Sequence, residues 1–316
     1  MKQLLIASAM VFFSITYAGA EQTKLTLYPV KVSKEMKSYT LVPQVIEPNC
    51  DARQFYEKAA DIISKNPPDA QVREWCKTSL DKFPVKNTRE VLDKYKEVLD
   101  LAERGARCGK YKWPLTTTTE ETLQNFLSNI RKVTWLLGLK FHLQMAQGQY
   151  EQALPTLQTA FGAANHLCQD SDLIQKLVGF AIAGFMLHQV EWFIQQPNAP
   201  CLYWALQTYP KSVYGFDTML YFELPGKSSM LKRLQRHIAA LQCIEALRIA
   251  AGADGGKWPE RLEDVKKVAV PVDPVSGKAF IYKRDGAKAI LQEPEKLTNG
   301  TEKDVIAFQL DLREKQ

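Results

Sequence analysis

The sequence predicts a mainly α protein: antiparallel helical hairpins in a repeat-like stack, closed by a small C-terminal antiparallel β module. Three observations carry this. From Leu127 to Phe193 apolar residues recur at helical spacing, interrupted only at Ala146–Tyr150 and by a short polar break after Leu167. Pro197, Pro200 and Pro225-Gly226 then stop helices. Beyond Gly252–Gly256 the pattern changes to alternation, with Ala279–Lys283 and Ala287–Leu291 flanking Arg284-Asp285-Gly286 as a hairpin.

Taken in order, Lys2, the apolar run Leu4–Tyr17 and the small residues Ala18-Gly19-Ala20 read as a cleaved secretory leader. Lys24–Val32 and Tyr39–Ile46 read as extended arms, which Pro29 and Pro43 confine to edges or irregular structure. Asp51 is placed to cap a helix through about Lys65. Asn66-Pro67-Pro68-Asp69 stops that helix and opens a second to Lys82. After Pro84 a third helix runs to about Arg107, and Cys108–Thr119 is a loop. Thr119-Glu120-Glu121 starts the long helix of the core stretch. A short aromatic helix (CLYWALQTYP) and another around Ser212–Phe222 follow. Ser228-Ser229 caps a long helix over Met230–Ala251, whose basic start (Lys232, Arg233, Arg236) reads as a solvated face. Trp258–Leu262 begins a short helix, Pro271–Gly277 is turn material, and Asp304–Leu312 alternates as a third strand. The expected divisions are a leader 1–20, an arm 21–48, a helical domain 49–226, and a long helix with the β module over 227–316.

The 316 residues carry a formal net charge of +6, or +5 once Lys2 leaves with the leader. That charge is mild and dispersed, which argues against nucleic-acid binding. The expected location is the periplasm or the cell surface, and no stable membrane span is expected after leader cleavage. Leu177–Leu187 is apolar but too short to cross a bilayer. Gly179, Ala181, Ala183 and Gly184 instead suit close helix packing within a core. All six cysteines (Cys50, Cys76, Cys108, Cys168, Cys201 and Cys243) follow the leader. They allow 15 full disulfide pairings, and spacing does not choose among them. Cys243, set among apolar neighbours, reads as a buried thiol.

Three resemblances have residues behind them. Gly148, Tyr150, Ala153, Leu157 and Ala160 resemble the back half of a tetratricopeptide repeat, although Phe141 stands where that motif has a small residue. From Lys232 to Leu291 the chain is similar to the soluble part of type II secretion major pseudopilins. Gly256, Trp258, Pro259, Leu262, Asp273, Pro274, Gly277 and Tyr282 carry that likeness. The pilin leader and the aspartate run of the calcium site are missing, so neither polymerisation nor calcium binding is implied. Most of the chain after the leader resembles a set of uncharacterised exported helical proteins of planctomycete-like bacteria. The residues are the Ala59 helix, Cys108, Trp113-Pro114, the Gly148/Tyr150/Ala153 corner and Leu202-Tyr203-Trp204-Ala205-Leu206. That likeness implies a fold and a location, and no activity.

Candidate chemistry is sparse. His142 and His166 fall on successive helices, without the His-Glu-x-x-His spacing of a metal site, and no Cys-x-x-Cys pair is present. His188 and Glu191 lie one turn apart in the reverse of the order that di-iron bundles use. There is no Gly-x-Ser-x-Gly, and Gly252–Gly256 lacks a Walker lysine. No cofactor, metal or catalytic residue is assigned. The aromatic group around Tyr203, Trp204, Tyr209 and Tyr214 reads as core or as a binding groove, with His188 and Glu191 as further candidates. The expected function is a non-enzymatic scaffold or interaction protein with an envelope protein as partner. The alternative is a small-ligand carrier or enzyme with a pocket between hairpins.

Overall fold

A computed structural model describes residues 23–112, 119–169, 172–212, 227–295 and 305–314. It is mainly helical with a small C-terminal sheet, as the periodicity requires. Two compact units divide the chain: Thr40–Phe193 with residues 211–212 form one, and described residues 23–39, 194–210 and 227–314 form the other. The arm expected over 21–48 is divided between the two units at 39/40, and the division expected at 226/227 lies at the edge of residues outside the described ones.

In the helical unit, β2 (Glu47–Asp51) pairs in parallel with β3 (Cys108–Lys110). A disulfide joins Cys50 to Cys108 across that pair. The helix expected from Asp51 therefore starts later, as α1 (Arg53–Lys65), and Asp51 Oδ1 accepts from the Arg53 N–H at 3.0 Å. The second expected helix is shorter. It comprises α2 (Gln71–Trp75) and a separate 3₁₀ turn over Leu80–Lys82. The third divides at Tyr95 into α3 (Val85–Lys94) and α4 (Lys96–Ala106). Tyr95 is buried and its hydroxyl donates to Asn66 O, so its packing fixes the break.

The core hairpin is α5 (Glu120–Ala146) and α6 (Tyr150–Gln169), with the Thr119 hydroxyl accepting from the Thr122 N–H as the N-cap. Gly148 turns the corner at φ 70°, a left-handed backbone that glycine adopts without a Cβ clash. Gln144 closes the corner by donating to Gln152 O and accepting from the Thr156 hydroxyl. Ala153, Leu157 and Ala160 are buried there. α1 packs on α4 and α5, and α4 on α6.

α7 (Leu173–Ile194) corrects one argument from sequence. At 22 residues it is long and apolar enough to cross a bilayer, so shortness does not exclude a span. Packing places it in the interior, with 72% of its most apolar window buried. Phe193 stacks on Phe141 at 5.8 Å between centroids. A Cβ on Gly179 would come within 2.6 Å of Cys168 Sγ and 2.7 Å of Ala164 O, so glycine is required at that contact. Gly184 faces open space and serves no such approach.

The second unit is built on α9 (Lys227–Ala253), which starts before Ser228-Ser229 and so places that pair in its first turn. Its sheet has the order β1 (Thr23–Leu27), β6 (Ala307–Leu312), β5 (Lys288–Gln292), β4 (Ile281–Asp285). β1 is an edge strand parallel to β6, and the β4–β5 hairpin turns through Gly286-Ala287. The segment Tyr39–Ile46 forms no strand. Trp258–Leu262 gives only a 3₁₀ turn at Leu262–Asp264. The expected helix around 212–222 lies mostly outside the described residues.

Arg236 is not on a solvated face. It is buried, with Nε and Nη2 forking onto Asp273 at 2.9 and 2.8 Å and Nη1 donating to Glu293 Oε2 at 2.9 Å. Burial opposes the charge on Asp273, yet the Arg236 fork, Ser276 and the Val275 N–H hold its pKa below the ordinary carboxylate value. Burial raises that of Glu293. Arg248 is equally buried, chelating both Glu245 oxygens at 3.0 Å and donating to Tyr28 O and Ala199 O.

The Cys50–Cys108 bond closes a span of 58 residues. Loop-closure entropy assigns such a cross-link about 4 kcal/mol. Replacing both cysteines with serine is expected to lower the unfolding free energy by about that amount, measured by urea denaturation. Cys76, Cys168, Cys201 and Cys243 are buried free thiols, as the surroundings of Cys243 suggested.

Candidate functional site

In the second unit the chain leaves β1 through Tyr28 and Pro29 and lies along α9. The Val30 N–H donates to Arg248 O at 3.0 Å. The backbones touch closely enough that a Cβ on Gly252 would sit 1.9 Å from Val30 O. Only glycine allows that approach. α8 (Tyr203–Ser212) is anchored nearby, because the Leu202 N–H donates to Glu245 Oε1 and the Tyr203 hydroxyl donates to Ala269 O.

These segments enclose a half-open groove of about 330 Å³. Val30, Val32, Trp204, Ile249 and Val268 supply its apolar lining, with Gly252 and Ala253 between them. Lys31, Lys37 and Lys267 complete the lining, and no acidic residue belongs to it. A 3₁₀ turn over Glu35–Ser38 brings Lys37 Nζ to 5.7 Å from the Trp204 ring centroid, within cation–π range.

Of the six residues singled out in the sequence, five are described, and among these only Trp204 lines this groove. Tyr203 and Tyr209 are buried at 2% exposure and belong to the core. Tyr203 meets the Trp204 ring edge-on at 5.3 Å. Tyr214 lies outside the described residues. In the helical unit His188 Nδ1 is 3.1 Å from Glu191 Oε2, with the histidine half-buried and the glutamate buried. Sequence reading missed Val30–Val32, the three lysines and Ile249. The one available signal was Val30-Lys31-Val32, where apolar and charged residues alternate along an extended chain.

His142 and His166 are structural. His166 Nε2 faces Cys108 O, which can only accept, and Nδ1 faces the Tyr56 hydroxyl at 2.9 Å. A neutral ring satisfies both contacts, donating from Nε2 and accepting at Nδ1. Tyr111 stacks on the same ring and donates its hydroxyl to Gln175. His142 is held by Gln189 at 2.6 Å and Thr78 O at 3.2 Å. Burial pulls both pKa values down to about 4.

No protein-family model, curated protein or solved structure matches the chain.

His142 and His166 stay neutral in the fold but charge near pH 6.5 when unfolded, so the unfolded state binds more protons between about pH 6.5 and 4. Their contribution is complete above that window and is lost as pH falls through it, by up to about 3 kcal/mol each. Urea titrations across the window should show the loss, and His166→Gln should remove its share of the slope. Separately, Tyr203→Ala should cost about 3–5 kcal/mol as a core truncation. Trp204→Ala should stay within about 1 kcal/mol, because half-buried side chains away from core packing carry little stability; thermal melts of the two variants check this.

Proposed function

We propose that this chain is an exported, non-enzymatic interaction protein that docks a partner of the cell envelope through the groove around Trp204. The observation that carries the reading is the groove itself: half-open, floored by aliphatic side chains and one tryptophan, and lined by lysines without a general base or nucleophile set against them. An exposed apolar hollow with a charged rim is the usual anatomy of a docking surface. Export is supported by the leader-like Leu4–Tyr17 and Ala18-Gly19-Ala20, and by a disulfide that suits an oxidising compartment. The neutral, fully engaged His142 and His166 fit structural service better than acid–base work. A small-ligand carrier is the second reading, favoured by a volume near the lower bound of ligand pockets, about 300–1,000 Å³.

Crosslinking and co-purification of the tagged chain from its own envelope tests the proposal. A stoichiometric protein should be recovered with the wild type and lost with the folded Trp204→Ala variant. Recovery unchanged by that substitution, or a bound small molecule in place of a protein, would overturn it.

A further inference from the structure

We propose that the groove takes an acidic peptide segment of its partner: one bulky apolar side chain set into the hollow against Trp204, with flanking carboxylates meeting Lys31, Lys37 and Lys267. This rests on the docking reading above and names the chemistry of the occupant.

The three lysines come from different segments: the chain after β1, the 3₁₀ turn, and the loop beyond Leu262–Asp264. All three are exposed, and none forms an ion pair among the described residues. The acidic residues of the neighbouring sequence do not line the hollow. A cationic occupant would meet like charge, and a purely hydrophilic polyanion would leave the part-exposed Val32, Trp204 and Val268 without an apolar partner. An apolar side chain flanked by carboxylates satisfies both demands. The exposed ammoniums keep much of their hydration, so each pair adds modest affinity and sharper selectivity by charge. The hollow is small and half-open, which suits one side chain projecting from a backbone better than a ligand that must be engulfed.

The test uses the full chain and fluorescein-labelled pentapeptides, Glu-Asp-X-Glu-Asp, with X as Leu, Ile, Phe or Trp, in fluorescence anisotropy. At least one should bind. Its Gln-Asn-X-Gln-Asn counterpart should bind about tenfold more weakly, because three rim pairs each contribute a few-fold. The triple variant Lys31→Glu, Lys37→Glu, Lys267→Glu should lose more than that factor, because repulsion replaces attraction, while melting like the wild type, and added salt should weaken the wild-type complex. Equal binding of the amide peptides, indifference to the triple reversal, binding of laurate with no peptide, or no binding at all would each overturn the proposal. The same triple variant in the envelope pull-down separates the two readings. A partner lost with Trp204→Ala but kept by the lysine variant leaves docking intact and sinks the acidic occupant. A partner kept by both sinks both.

Discussion

A guanidinium removed from water must be satisfied on every side, and in the second unit that demand fixes the chain around Arg248. Its partners are Glu245 on the same helix, Tyr28 O beyond the first strand, and Ala199 O before α8. Glu245 in turn accepts from the Leu202 N–H. Burying such a charge costs several kcal/mol unless each donor finds an acceptor, so the segments are held where those acceptors must lie. Two residues beyond Tyr28 comes Val30, and two beyond Leu202 comes Trp204. Both walls of the groove are therefore consequences of one buried cation. Arg236 repeats the arrangement nearer the start of the same helix, clasping Asp273 and Glu293 from the β module.

Tyr203 and Trp204 show how a helix divides neighbouring aromatics between the core and the groove wall. Consecutive helical positions point about 100° apart, so when one ring enters the core its neighbour is left at the edge. The edge-on contact between the rings lets the buried tyrosine steady the half-exposed tryptophan. Lys37 covers Trp204 from above and keeps its charge at the mouth.

Long periodic elements were legible in the sequence and non-local pairings were not. The run from Leu127 to Phe193 resolves into α5, α6 and α7 with the corner at Gly148, because helical periodicity and a glycine turn are local signals. The β2–β3 pair was missed, since Glu47–Asp51 finds its partner in Cys108–Lys110, beyond four helices. Nothing in the spacing of six cysteines marks Cys50 and Cys108 as neighbours. Arg236 was misread for a related reason. Beside Lys232 and Arg233 it looks solvated, and the acids that bury it stand 37 and 57 residues downstream. The groove was the least legible feature, being assembled from four stretches that only the folded backbone brings together. Trp204 could be singled out as an aromatic, whereas lysines dispersed over the sequence carry no mark of convergence.

The pairing of β1 with β6 sets an order of events during synthesis. Thr23 to Leu27 lie beside Phe308 to Leu312, so a strand near the beginning of the chain waits for one near its end. The helical unit, most of which runs from Thr40 to Phe193, has its core residues in hand long before that. Domains completed earlier on the ribosome fold earlier, and contacts of long sequence separation form last. The residues that line the groove, by contrast, end at Val268 and precede β6 in the chain. Closure of the sheet thus comes after every residue of the groove has been made, an order set by topology alone.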